Sequence, residues 1–369
     1  MSSRLNLCCG ATLGLALALG ACNSATAPSL SDPTATAAQA AALDSAFQSP
    51  VVASLQSLSG AVHATPPVVR PAIGALRVLP SVRPTVNHYD GLANEGRVLQ
   101  QVVPSFASFG ATGIFPDTLL GSVFTWDTSA HAYRRTASSG GPTNGVRFLL
   151  YAIDPLTDEP STPLTQVGYV DLMDESANGI ARLHIQAKNT AGTITYLDYA
   201  FSGSGTSAAF TASVTGTITN GLAGGANKTL TFSVTITGST SSVTLTSSYA
   251  LNNPVVAVQE TVTISDDGTT TTLGLDFTFT RPAETITIAG TVAVTDATGD
   301  GTVNITFKVN GSTFATLTGT TTNPTFTKAG GGQLTTSEQL ALASLFVAAA
   351  DISEKVGDVF QPAEHMLGL

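Results

Sequence analysis

The amino-acid sequence predicts a mainly β protein. It reads as a large antiparallel meander (a curved sheet, half-barrel or sandwich), with N-terminal helices and a C-terminal amphipathic helix packing on its apolar face. Three observations carry this. Apolar residues recur with a period of two over most of the chain, asparagine-glycine and aspartate-glycine pairs punctuate those runs, and helical periodicity is confined to the two ends.

The period is clearest where Leu230, Phe232, Val234 and Ile236 alternate with Thr229, Thr231, Ser233, Thr235 and Thr237. Leu273, Leu275, Phe277 and Phe279 repeat it, as do Ile286, Ile288, Val292 and Val294. Alternation with β-branched residues is the pattern of a half-buried strand. Asn220-Gly221, Asp267-Gly268, Asp300-Gly301 and Asn310-Gly311 fall between runs, where tight turns need positive φ. Strand starts recur roughly every 12–17 residues across 208–320, and the chain as a whole holds about fourteen candidate strands with no exact repeat. Threonine dominates the polar phase and suits a solvated sheet face. The opposite phase carries Leu, Ile, Val and Phe and needs a cover.

The ends supply that cover. Asp32-Pro33 and Ser49-Pro50 each pair an N-cap residue with proline at the first helical position. Leu43 and Phe47, then Val51, Val52, Leu55 and Leu58, form the apolar stripes, and Gly60 is expected to stop the second helix. Thr335 and Glu338 form a capping box. Beyond it Leu342, Leu345, Phe346, Ala349, Ile352, Val356, Val359 and Phe360 share one helical stripe, and Pro362 ends it.

The first residues are of another kind. Arg4 precedes an apolar run, Ala11–Gly20, of signal-peptide length and too short to span a bilayer. It ends Leu19-Gly20-Ala21-Cys22, which resembles the lipobox of bacterial lipoproteins. The resemblance implies cleavage before Cys22, lipid attachment to its thiol, and export to the cell envelope. Asn23, in place of the aspartate that marks inner-membrane retention in many Gram-negative bacteria, favours the outer membrane. The organisation is then 1–21 signal peptide, 22–31 flexible tether, 32–118 helical and Pro-rich segment, 119–330 antiparallel β domain, and 331–369 C-terminal helix and tail.

Composition excludes several functions. A formal charge of −10 argues against nucleic acid as a partner. Only 11% of residues are charged, which suits an exported β-rich body. All three cysteines lie within the first 22 residues, so the body has no disulfide, thiolate metal site or cysteine nucleophile. No G-x-S-x-G, H-E-x-x-H or G-x-G-x-x-G occurs. Gly221–Thr229 and Asp296–Gly301 read as turns rather than as phosphate or calcium loops. His63, His88, His131, His184 and His365 show no metal-ligand spacing. No cofactor and no metal is expected.

The segment 126–199 is richest in chemistry-bearing side chains. Trp126, Arg147, Asp171, Asp174 and Glu175 are its candidate binding residues, and paired carboxylates there could serve acid–base work or hold a cation. The simpler reading is strand packing and solvated turns. The favoured function is a non-catalytic, lipid-anchored binding or structural protein of the envelope, partnered with the membrane through its lipid. In a sharper version it carries a hydrophobic ligand, because a one-sided sheet lidded by helices resembles the half-barrels of periplasmic lipid carriers. A surface adhesin and an envelope-polymer hydrolase are the alternatives.

Overall fold

The computed structural model describes residues 28–62, 113–157, 159–206, 208–295, 300–345 and 348. The described residues form seventeen strands, β1 to β17 in chain order, and fifteen of them make one sheet. From edge to edge the order is β17 (Pro324–Lys328), β16 (Ser312–Thr320), β15 (Gly301–Val309), β14 (Glu284–Thr295), β13 (Thr270–Arg281), β12 (Val255–Asp266), β11 (Ser242–Asn252) and β10 (Thr229–Ser239). It continues through β9 (Ala209–Thr219), β8 (Thr195–Thr206), β7 (Ala181–Asn189), β6 (Gln166–Asp174), β3 (Gly145–Tyr151), β1 (Ser122–Asp127) and β2 (Ala132–Ser139). The sheet is open rather than a closed barrel. From β6 to β17 every neighbour is the next strand in sequence, the meander expected from the turns. Only the beginning departs, where β3 inserts between β1 and β6 and pairs in parallel with β1. β4 (Ile153–Asp154) and β5 (Glu159–Pro160) form a separate small hairpin in the β3–β6 connection.

Turn chemistry explains most reversals. Asn310 and Gly311 both have positive φ, as a two-residue hairpin turn requires, and Gly268 does likewise in the β12–β13 turn. Asp300-Gly301 differs from expectation, because Gly301 already pairs with Val294 as the first residue of β15. Other glycines allow close approach between strands. A Cβ on Gly216 would lie 2.3 Å from the Cβ of Tyr199, and one on Gly290 would lie 2.0 Å from the Asn304 carbonyl oxygen. Glycine at such contacts lets a long sheet coil.

The period-two pattern sorts the two faces as the sequence predicts. One face carries rows of hydroxyls, such as Thr235, Thr246 and Thr261 on adjacent strands, and Thr244 and Thr263 hydroxyls meet across them at 3.3 Å. The other face is the core. Its main cluster joins Phe148, Leu183, Tyr199, Phe232, Phe279 and Phe314 to residues of both chain ends. A smaller cluster of Val262, Ile264, Leu273, Val292 and Val303 lies farther along β12–β15.

The N-terminal segment covers the main cluster. Helix α1 (Pro33–Ala41) is capped by Asp32, whose carboxylate accepts from the Ala35 N–H at 2.9 Å. A 3-10 turn, Ala42–Phe47, lies on β9–β11. Helix α2 (Pro50–Val62) starts at Ser49, whose hydroxyl accepts from the Val52 N–H, and packs on β2–β8. It runs through Gly60, so the expected stop there is corrected: backbone bonding continues one half-turn farther. Leu43, Phe47, Val52 and Leu55 are buried against the sheet, each contributing roughly 1.5–3 kcal/mol. Ser54 accepts from the Tyr151 N–H at 3.1 Å, tying α2 to the end of β3. At the C-terminal end the capping box forms as expected, with Glu338 N–H donating to the Thr335 hydroxyl and Thr335 N–H to the Glu338 carboxylate. Ala341, Leu342 and Leu345 then enter the core. The rest of the predicted stripe, Phe346 to Phe360, and the 63–112 Pro-rich stretch lie outside the described residues, as does Leu58's side chain.

Glu284 and Glu260 occupy buried, inward positions of their strands on the apolar side. Glu284, at the start of β14, accepts from the Ser31 N–H at 2.9 Å, the Thr36 hydroxyl at 2.8 Å and Arg281 at 2.6 Å. Arg281 also donates to the Ser31 hydroxyl. Glu260, on β12 opposite Ser247 and Phe277, has only a long bond from the Ser247 hydroxyl, at 3.4 Å.

These environments act in opposite directions. Burial alone would push the Glu284 carboxyl up, but the Ser31 N–H, Arg281 and Thr36 together hold it below the ordinary range. Its stabilisation is therefore present above the unfolded value and is lost as pH falls through the folded one. Glu284→Ala should cost about 3–5 kcal/mol in urea unfolding at neutral pH, because it strands Arg281 in the core. That deficit should shrink in acid. Glu260 is pushed up by burial, with the Ser247 hydroxyl opposing weakly, so its protonated form suits the fold. Glu260→Gln should raise the melting temperature at neutral pH and match the parent below about pH 4, where both are neutral.

Candidate functional site

The densest set of charged side chains lies on the outer face of β3, β6, β7 and β8. It arises because outward positions of neighbouring strands fall in register: Arg147 opposite Asp171, Asp171 opposite Gln186, and Gln186 opposite Asp198. Arg147 binds Asp171 through two parallel bonds, Nε to Oδ1 at 2.6 Å and Nη2 to Oδ2 at 2.8 Å. Its guanidinium also stacks 3.9 Å from the centre of the Tyr169 ring. The Asp171 bond holds the Arg147 pKa above its ordinary value against the opposing effect of burial. Such a fork-to-fork pair is both directional and strong.

Beside it runs a second chain of bonds. Glu175 accepts from Arg182 Nε at 3.0 Å and meets His184 Nδ1 at 2.7 Å. His184 Nε2 lies 2.7 Å from Asp198 Oδ1, and Gln186 donates to Asp198 Oδ2 at 2.8 Å. Burial raises the Glu175 pKa, but its bonds and charge contacts with His184 and Arg182 outweigh this and leave it below the ordinary range. Both imidazole nitrogens are engaged by carboxylates. The ring is therefore held in orientation, with neither nitrogen presented to a substrate or metal.

The five predicted residues separate into three places. Arg147, Asp171 and Glu175 belong to this outer strip. Asp174 lies at its end and has a local duty: its carboxylate accepts from the Ile114 N–H at 2.7 Å and the Ser176 N–H at 2.9 Å, clipping residues 113–115 to the sheet. Trp126 is on the other face. It is buried with Phe124 and Phe148 and makes an edge contact with Tyr133, ring centres 5.5 Å apart. It shares no site with the charged strip. Cys22 lies outside the described residues.

Sequence reading missed the bonded chain that runs from Glu175 through His184 to Asp198 and Gln186. The signal of His184, Gln186 and Asp198 was present, since each is a polar residue flanked by buried ones (Leu183, Ile185, Ala187; Leu197, Tyr199) on the outward phase of its strand. Of the other histidines, His131 pairs with Glu159 at 2.8 Å on the surface. Among the described residues no group of three or more His, Cys, Asp or Glu is placed to hold a metal ion. Compared with known protein families, curated proteins and solved structures, the chain shows no significant match.

The strip thus acts as cross-strand bonding on a solvated face. Arg147→Met should destabilise by about 1–3 kcal/mol, because it leaves the buried Asp171 without its counter-charge. Arg182→Ala, at an exposed pair, should change stability by less than about 1 kcal/mol. Urea midpoints of the two variants check the contrast.

Proposed function

We propose that this chain is a non-catalytic, lipid-anchored structural or binding protein of the cell envelope, held at the outer membrane by a lipid on Cys22. One observation supports the structural form most directly. The main apolar cluster of the sheet is filled by the chain's own residues 30–55, which cover β2–β11, while the charged side chains of the outer face bind one another across strands. A face filled this way leaves the body as a rigid support, and the packing of Leu43, Phe47, Val52 and Leu55 argues for support over carriage of a hydrophobic ligand. The hydroxyl-rich, low-charge outer face suits a protein displayed in the envelope, and an adhesin is the variant of this reading in which that face meets a partner.

Anchoring is tested by growing cells with an alkyne-bearing fatty acid. The parent chain should take up the label, begin at Cys22 by mass spectrometry and sediment with membranes. Cys22→Ser should lose the label and move to the soluble fraction. A parent chain with an unmodified Cys22 thiol would overturn the anchored reading.

A further inference from the structure

Antiparallel alternation gives the sheet two ends, and one of them differs in character. β3 ends there at Tyr151, β10 starts there at Thr229, β12 starts at Val255, β13 ends at Arg281 and β15 ends at Val309. The connections at that end are therefore 128–131, 152–165, 190–194, 220–228, 253–254, 282–283 and 310–311. The same rim receives the N-terminal segment, because Ser31 is bonded to Arg281 and Glu284 beside the 282–283 turn.

This rim carries the most exposed apolar side chains of the sheet connections. Leu156, at the tip of the β4–β5 hairpin, is 92% exposed; Val255 is 64% and Leu222 is 56% exposed. Leu164 adds a fourth. The opposite rim has Leu120 and Ile180, both more covered than Leu156, Val255 and Leu222 though not than Leu164. The tips are held, not loose: Asn253 donates to the Gly225 carbonyl, Lys228 to the Asn253 carbonyl, and the Thr229 N–H to Asn252. Leu222 and Val255 are thereby presented on one bonded platform.

Charge distinguishes the β9–β16 part of this rim from the opposite rim. The 220–228, 253–254, 282–283 and 310–311 connections contain Lys228 and no carboxylate, and Lys308 is exposed two residues before the last of them. The opposite rim carries Asp174, Glu175, Asp266, Asp267 and Asp300. At the β3–β6 end of the rim, Asp154, Asp158 and Glu159 lie within three residues of Leu156 in sequence and β1 ends at Asp127, so contact there depends on apolar insertion rather than on attraction to anionic headgroups.

We infer that this rim is a membrane-contact surface, whose tips Leu156, Leu222 and Val255 insert at the interface of a phospholipid bilayer. Apolar tips next to lysine, projecting from a rigid scaffold, suit a boundary that is apolar below and polar above. The inference rests in part on the anchored reading, which would hold this end close. The nine steps from Cys22 to Ser31 span at most about 30 Å when extended. A lipid on Cys22 would therefore keep the Ser31 end near the bilayer.

The test uses the chain from residue 22 onward carrying Cys22→Ser, so that neither acyl chains nor the apolar Ala11–Gly20 run dominates binding, with vesicles of phosphatidylethanolamine and phosphatidylglycerol. Hydrogen exchange should slow on vesicle addition at 153–160, 220–228 and 253–256, and stay unchanged at 174–181, 239–242 and 266–270. Leu156→Asp and Leu222→Asp should each lower vesicle partitioning on the order of tenfold while retaining the parent's melting transition. Protection confined to the opposite rim, no vesicle-dependent protection, or full partitioning by both variants would overturn the inference. Because the anchor is absent from this chain, failure of lipid labelling at Cys22 would leave the result standing, and the reverse also holds.

Discussion

A sheet with one apolar face cannot stay single-layered in water, and this requirement organises the molecule. Its strands present most of their Leu, Ile, Val and Phe to the same side. Among the described residues no second sheet packs across them. The cover instead comes from the ends of the same chain, the N-terminal segment above all, pinned at its start by the buried Arg281–Glu284 pair. Buried ion pairs often add little net stability. Here the pair also fixes position, since the Ser31 N–H and the Thr36 hydroxyl reach Glu284 only when α1 lies across the β13–β14 turn.

Much of the architecture was legible because it is local. Asp32, Ser49 and the Thr335–Glu338 box cap helices through bonds to residues three positions away, and neighbouring strands follow from turns such as Asn310-Gly311. The parallel insertion of β3 between β1 and β6 was not legible, because its pairing depends on distant partners and the local alternation is broken by register shifts in β1 and β3. The same irregularity hid the separation of Trp126 from Arg147. Density of interesting side chains along a sequence says nothing about faces unless the strand phase is known. Where the phase is regular, exceptions can be read: Glu260 occupies an inward position among Val256, Val258, Val262 and Ile264, which marks it as a buried carboxyl.

The outer face solves a second problem. A sheet this wide has two edges and a broad solvent surface, both liable to pair with other chains. The surface is kept wet by threonine and serine hydroxyls that also bond across strands, as at Ser202–Ser213. The edges are blunted by short or charged strands: β17 has five residues and begins with Pro324, and β2 carries Arg134 and Arg135. Charge is concentrated in one strip, where it ties β3 and β6–β8 together next to the irregular part of the sheet.

The bond between Ser31 and Glu284 joins residues 253 positions apart. At about 5–20 residues per second, the ribosome makes Ser31 roughly 10–50 s before its partner. For that interval the segment destined to line the core has no finished surface to occupy, while hairpins accumulate behind it with their apolar side bare. Completion waits on β13 and β14, so assembly is timed by the late strands. Any factor that escorts this chain must shield an unfinished sheet until then.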